Sequence, residues 1–198
     1  MEQIPAPIGT VVVAAGLSTR MGRFKLTLPW DDTTVIGRVV QSLMQAGLED
    51  IVVVTGHRAD NVTQALTGLT ARTVFNPDYE TGEMLSSIRV GLQALHTLAQ
   101  AALICLGDQP QMEVATVRAV LSAAREDGWQ QVIVPSYQRR AGHPILLPRG
   151  VWPDVLTTTG TLRDIMRAQG ERIRYVDVDT PTVLADLDTP RDYDGRGR

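Results

Sequence analysis

Four short runs rich in β-branched and apolar residues, at 10–14, 51–55, 101–105 and 132–134, are separated by stretches whose apolar residues recur every three or four positions. A strand that is apolar at nearly every position has both faces covered, which is the condition of a parallel strand between two helical layers. Between the first two runs, Val35, Ile36, Val39, Val40, Leu43 and Met44 share one helical face over 34–46, and Gly47 follows as a stop signal. A polar helix is expected near 58–66 and a third strand at 72–75. Leu85, Ile88, Leu92, Leu95 and Leu98 predict the next helix, and Val114, Val117, Leu121 and Ala124 another that stops near Gly128. The rest reads as a polar, basic stretch at 136–142, a short apolar strand at 143–147, a helix at 161–168 and a last strand at 173–178, taken as antiparallel. This alternation specifies a three-layer, Rossmann-like α/β fold with a mostly parallel sheet. Such sheets bind ligands beyond the carboxyl ends of their strands, so the loops after Ala14, Thr55, Phe75 and Cys105 are the places to look for chemistry.

The chain of 198 residues has the length and the 43% hydrophobic content of a single globular domain, read as spanning 1–192 with a frayed tail at 193–198. Its formal charge of -3 and lack of basic runs exclude nucleic acid as the main partner. No apolar stretch is long enough to span a bilayer, and the opening Met-Glu-Gln-Ile-Pro lacks the pattern of a leader. With one cysteine, Cys105, inside an apolar strand, no disulfide can form within the chain, and a cytoplasmic location is expected. The sequence holds 18 arginines and a single lysine, Lys25.

Lys25 closes the loop after the first strand, Ala14-Ala15-Gly16-Leu17-Ser18-Thr19-Arg20-Met21-Gly22-Arg23-Phe24-Lys25. Small residues let backbone approach a ligand, Ser18 and Thr19 offer hydroxyls, and Arg20 and Lys25 bring two cations, a set suited to a polyphosphate. The glycine spacing matches neither the dinucleotide fingerprint nor the Walker loop.

Val13-Ala14-Ala15-Gly16, followed by Arg20-Met21-Gly22 and Lys25, resembles the signature of the nucleotidyltransferases that finish molybdenum cofactor synthesis. Ala-Ala-Gly is similar to the cytidylyltransferase branch, whereas the guanylyltransferases more often carry Ala-Gly-Gly. Further elements follow in the family's order: Thr55-Gly56-His57, Asn76-Pro77-Asp78-Tyr79, Gly82 with Ser86-Ser87, Gly107-Asp108-Gln109-Pro110, Gly142-His143-Pro144 and Asp186-Leu187-Asp188-Thr189-Pro190. The resemblance implies that Val13, Ala14, Ala15, Gly16, Lys25, Thr55, Gly56, Asn76, Gly82, Ser86 and Ser87 serve the nucleotide. It implies that Gly142, His143 and Pro144 serve the acceptor. The segment Thr157-Thr158-Thr159-Gly160-Thr161 departs from the family's more acidic glycine motif.

Asp108 follows an apolar strand directly, which sets its carboxylate at the carboxyl edge of the sheet across from the first loop. Mg²⁺ takes hard oxygen ligands, commonly one or two carboxylates together with substrate phosphates. The resemblance gives Asp108 that role, with Asp188 as second ligand and Asp186 as its competitor. Lys25, Arg20 and Asp108 are the expected catalytic residues, supporting attack on the α-phosphorus of a nucleoside triphosphate. An acceptor phosphate monoester, as on molybdopterin, is already largely ionised near neutral pH, so no general base is assigned. His57 is placed at the nucleotide site and His96 on the surface or in packing. Trp152 is read as packing, with contact to a pterin ring as the alternative.

The expected reaction is Mg²⁺-dependent transfer of CMP from CTP to molybdopterin-bound molybdenum cofactor, with release of pyrophosphate. Transfer from GTP or to another phosphorylated acceptor is the alternative within the class. A nucleotide-binding chaperone that hands cofactor to a molybdenum hydroxylase apoenzyme is the alternative outside it.

Overall fold

The computed structural model describes residues 8–195. The opening Met-Glu-Gln-Ile-Pro and residues 196–198 of the expected tail lie outside the described residues. The chain begins with strand β1 (Ile8–Ala14), passes a small hairpin of β2 (Pro29–Trp30) and β3 (Thr33–Thr34), and enters helix α1 (Val35–Gln45). Then come β4 (Asp50–Thr55), α2 (Ala59–Ala65), β5 (Arg72–Phe75), α3 (Met84–Ala94), β6 (Ala101–Leu106) and α4 (Val114–Glu126). The second half holds β7 (Val132–Tyr137), β8 (Arg140–Ala141), β9 (Ile145–Pro148), α5 (Trp152–Thr157), α6 (Leu162–Gln169), β10 (Ile173–Asp177) and α7 (Pro190–Asp194).

The main sheet has the order β10-β7-β9-β6-β1-β4-β5, with β8 folded back on β7. β1 lies between β6 and β4, parallel to both, so the chain moves outward from β1 in opposite directions and leaves a crevice beyond its carboxyl end. Alternation along the strands fills both faces. Val12, Val53, Leu103 and Cys105 pack with α1 and α4, whereas Val11, Val52, Val54 and Ile104 pack with α3, α5 and α6. That is the expected three-layer α/β arrangement with a mostly parallel sheet. Truncating a wholly buried side chain such as Leu103 to Ala costs about 2 to 5 kcal/mol.

Helix α1 starts where the Thr34 side chain accepts from the Gly37 amide, and Gly47 at φ 93 turns the chain out of it. Three expectations are corrected. The last strand is not antiparallel: β10 pairs in parallel with β7. The antiparallel strand is β9, which is inserted between β6 and β7 and opposes both. After β9 the two helices α5 and α6 return the chain to the end of the sheet it left, so β10 starts beside the start of β7. Helix α3 ends at Ala94 and leaves Leu98 70% exposed, because Leu95 adopts extended backbone. The chain does not fray at Tyr193. That residue sits in α7, buried, with its hydroxyl donating to the Pro29 carbonyl and its ring edge-on to Trp30.

Candidate active site

A cleft of about 460 Å³ opens where β1 and β6 end, between the long first loop, the start of α3 and the segment before α7. The first loop is pinned by its apolar residues: Met21, Phe24 and Leu26 are buried, so the intervening polar groups are held toward the cleft. Ser18 takes the left-handed region at φ 57, and its Oγ accepts from the Lys25 amide at 3.4 Å. These contacts fold the loop back so that residue 25 faces the end of β6.

Lys25 Nζ lies 2.5 Å from Asp108 Oδ2 and 3.3 Å from Asp188 Oδ1. Arg20 Nη1 meets the other oxygen of Asp188 at 2.8 Å. The Leu187 amide donates to the Asp108 carbonyl, and Leu187 is buried. Alternation about that anchor turns Asp186 and Asp188 to the cleft on either side of it. Asp186 accepts from the buried Gln109 amide at 2.6 Å. Burial, and then the charge of Asp108, raise its pKa above the ordinary carboxylate value, against the pull of the Gln109 hydrogen bond.

Val13, Ala14, Ala15, Gly16, Lys25, Gly82 and Ser87 line the cleft with Asp108, Asp186 and Asp188, as does Arg20. Thr55, Gly56, Asn76 and Ser86 stand behind it. Thr55 donates its hydroxyl to the Val74 carbonyl. A side chain at Gly56 would meet the Tyr79 ring and the Ala15 carbonyl, so this glycine permits the close approach of the two loops. Asn76, wholly buried, donates to the hydroxyls of Ser86 and Ser87 at 2.9 and 3.0 Å and so fixes the first turn of α3.

Gly142, His143 and Pro144 do not line the cleft. They join β8 to β9, with the His143 amide donating to the Val183 carbonyl. His143 Nε2 is buried and has no hydrogen-bond partner. Burial depresses the pKa of His143 to about 4, while the charge of nearby Asp108 works in the opposite direction. His57 packs edge-on against Phe24 at 5.7 Å and lies outside the cleft lining, behind the first loop. Trp152 is buried with its indole N–H donating to the Leu147 carbonyl, so it is a packing residue and offers no face to a pterin. His96 is exposed. Cys105 is buried, and burial pushes its thiol pKa up. Glu83 and Met84 at the start of α3 also line the cleft, neither of them singled out by the sequence pattern, together with Leu17 of the first loop. Leu17 and Met84 expose apolar surface there, a signal that only the folded arrangement supplies.

The carboxylates and cations form a charge set matched to a polyphosphate and a divalent ion. Among the described residues no three His, Cys, Asp or Glu side chains converge as a ready-made metal site. Instead, the Lys25 ammonium stands between Asp108 and Asp188, a location those two carboxylates make favourable for a cation. The donor chemistry fits Mg²⁺, which commonly completes its coordination with water and substrate phosphates.

A family model described as the MobA-like NTP transferase domain matches residues 10–173. The molybdenum cofactor cytidylyltransferase of Escherichia coli K12 is 28% identical over 188 residues, covering 94% of this chain and 93% of that protein. The nicotine blue oxidoreductase of Paenarthrobacter nicotinovorans is 29% identical over 188 residues, covering 90% and 91%. The crystal structure of Rv0371c from Mycobacterium tuberculosis H37Rv superposes with a TM-score of 0.82 at 30% identity, over 96% of this chain and 97% of that one. A manganese complex of the same mycobacterial protein aligns at 0.72 with 29% identity, over 96% and 97%.

Proposed function

The chain belongs to the MobA-like NTP transferase family and is a nucleotidyltransferase; from that premise we propose that it transfers CMP from CTP to molybdopterin-bound molybdenum cofactor and releases pyrophosphate. The observation that carries the reading is the convergence of Lys25, Arg20, Asp108 and Asp188 at the end of β1 and β6. The 28% identical cytidylyltransferase and the Ala14-Ala15-Gly16 turn support CTP as donor.

Residues 1–192 act as one transferase domain, the first half holding nucleotide and the second half acceptor. Backbone of Val13 to Gly16 and the start of α3, with Gly82 and Ser87, receive the nucleotide, and a helix start favours an anion there. Thr55, Gly56, Asn76 and Ser86 act from behind by holding that frame. Asp108 and Asp188 hold the divalent ion, with Asp186 beside them. Mg²⁺ bound there supplies positive charge against the phosphate oxygens. Lys25 and Arg20 are released from their carboxylates toward the phosphates, where negative charge grows on the transferring group and the departing pyrophosphate. The acceptor phosphate is its own ionised nucleophile near neutral pH, so no histidine is needed as a base. Gly142, His143 and Pro144 shape the acceptor side from the turn into β9.

Among the described residues no helix is long and apolar enough to cross a membrane, and the buried, unpaired Cys105 suits a reducing cytoplasm. The product would pass to a molybdenum hydroxylase apoenzyme or its chaperone. An oxidoreductase reading, drawn from the Paenarthrobacter relative, finds no dinucleotide fingerprint in the first loop. Label transfer tests the proposal. Phosphorus label from the α-position of CTP should appear on the pterin product and label from the γ-position should not. Label retained in free nucleotide alone would overturn the assignment.

A further inference from the structure

A second cavity, of about 420 Å³, opens at the opposite end of the sheet. Its side chains include Gln100, Trp129, Gln130, Gln131, Arg149 and Arg172. Gln100 directly precedes β6, Gln131 precedes β7 and Arg172 precedes β10, while Arg149 follows the reversed strand β9. Strand polarity alone therefore puts this cavity at the amino ends of the parallel strands, a full strand length from Asp108.

The lining contains two guanidinium groups and no carboxylate, in a chain whose net charge is -3. Neither Arg149 nor Arg172 has a carboxylate partner among the described residues. Two acids adjoin the lining in sequence: Asp127 is occupied by the backbone amides of Gln130 and Gln131, and Glu171, next to Arg172, does not line the cavity and forms no ion pair with either arginine. Arg149 is held in place by its stacking on the Trp152 ring, 4.2 Å from the centroid. Trp129 takes the left-handed backbone region at φ 65, an uncommon conformation for a bulky side chain, and its amide is tied to the Ala124 carbonyl. The cavity is of the size that holds small ligands, and guanidinium groups are the side chains best matched to phosphate.

We propose that this cavity is a second ligand site for a small phosphorylated molecule with a flat ring, the phosphate bound by Arg149 and Arg172 and the ring resting against Trp129. The side-chain amides of Gln100 and Gln131, with the amide oxygen of Gln130, whose nitrogen donates to the Gly128 carbonyl, supply hydrogen bonds to the ligand's polar edge. This assignment is independent of the nucleotide and acceptor chosen above.

Intrinsic tryptophan fluorescence reads the site, because Trp129 lines it and the buried Trp152 ring carries the Arg149 guanidinium. Phenyl phosphate is the probe, with inorganic phosphate and CMP in parallel. Saturable quenching by phenyl phosphate is expected in the wild type and in Lys25→Ala, weakened by about tenfold or more in Arg149→Gln with Arg172→Gln, one charge-assisted contact being enough for that change. Turnover of the arginine variant without probe should match the wild type. Should the double variant fail to fold by circular dichroism, Arg172→Gln alone carries the comparison, since among the described residues Arg172 is stacked on no ring. Displacement by CMP would support the site and name a nucleotide as its ligand, whereas retained binding without displacement would support a different aromatic phosphate. Unchanged affinity in the arginine variants, loss of quenching in Lys25→Ala, or no saturable binding in the wild type would overturn the proposal. Equal affinity for inorganic phosphate would overturn the role of the ring.

Discussion

Lys25 and Asp108 lie 83 positions apart in the chain, and their ammonium and carboxylate meet at 2.5 Å where β1 and β6 end side by side. The contact closes the cleft floor, and both side chains are mostly shielded, at 13% and 19% exposure. Under the proposed function, this pair would exchange its partners for a metal ion and phosphates when substrate arrives.

Replacing Lys25 by Ala should lower kcat/KM by about 100-fold, the loss typical of one donor aimed at developing charge. Steady-state kinetics with the nucleotide varied checks this. Wild-type kinetics would return Lys25 to a structural role.

Asp108→Asn should keep the fold, since the backbone bond from Leu187 and the side chain of Gln109 remain. Turnover should fall by about 100-fold or more. Near-normal turnover, with an unchanged dependence on metal concentration, would show that Asp108 holds no metal.

Ala15 is buried and lines the cleft, and a side chain at Gly56 would meet its carbonyl, so the turn's shape is tightly set. Ala15→Gly should relax the preference between CTP and GTP. Comparing relative rates with the two nucleotides measures it, and an unchanged ratio would remove the Ala-Ala-Gly turn as the determinant.

His143 contributes to the acid limb of stability. Its folded pKa, depressed to about 4, lies below the ordinary 6.5. Between those values the unfolded chain binds a proton that the folded chain refuses. Stability is therefore full above pH 6.5 and falls as the pH drops toward 4, by on the order of 3 kcal/mol, with no further loss from this group below that. Urea denaturation at several pH values should show a shallower fall for His143→Gln than for the wild type. Parallel curves would contradict the assignment.

The strand runs and the face of α1 were legible because they are governed by period and burial, and the loop from Ala14 to Lys25 because glycine, hydroxyl and cation types cluster locally. What could not be read was set by distant pairing. The direction of β10 depends on how many helices intervene after β9. The end of α3 depends on Leu95 leaving helical backbone while still burying its side chain. Asn76 and Thr55 look like nucleotide ligands in a one-dimensional pattern, whereas in the fold their side chains bond Ser86, Ser87 and Val74 behind the cleft lining. Leu17 and Met84 gain their place at the cleft mouth only when the first loop and α3 come together.

Pyrophosphate release by purified protein with Mg²⁺ and molybdenum-loaded molybdopterin, offering CTP, GTP, ATP and UTP separately, measures the proposed transfer itself. Release with CTP, dependent on the pterin acceptor, is the expected result. No release with CTP in the presence of that acceptor, or release with another nucleotide in its place, would contradict it.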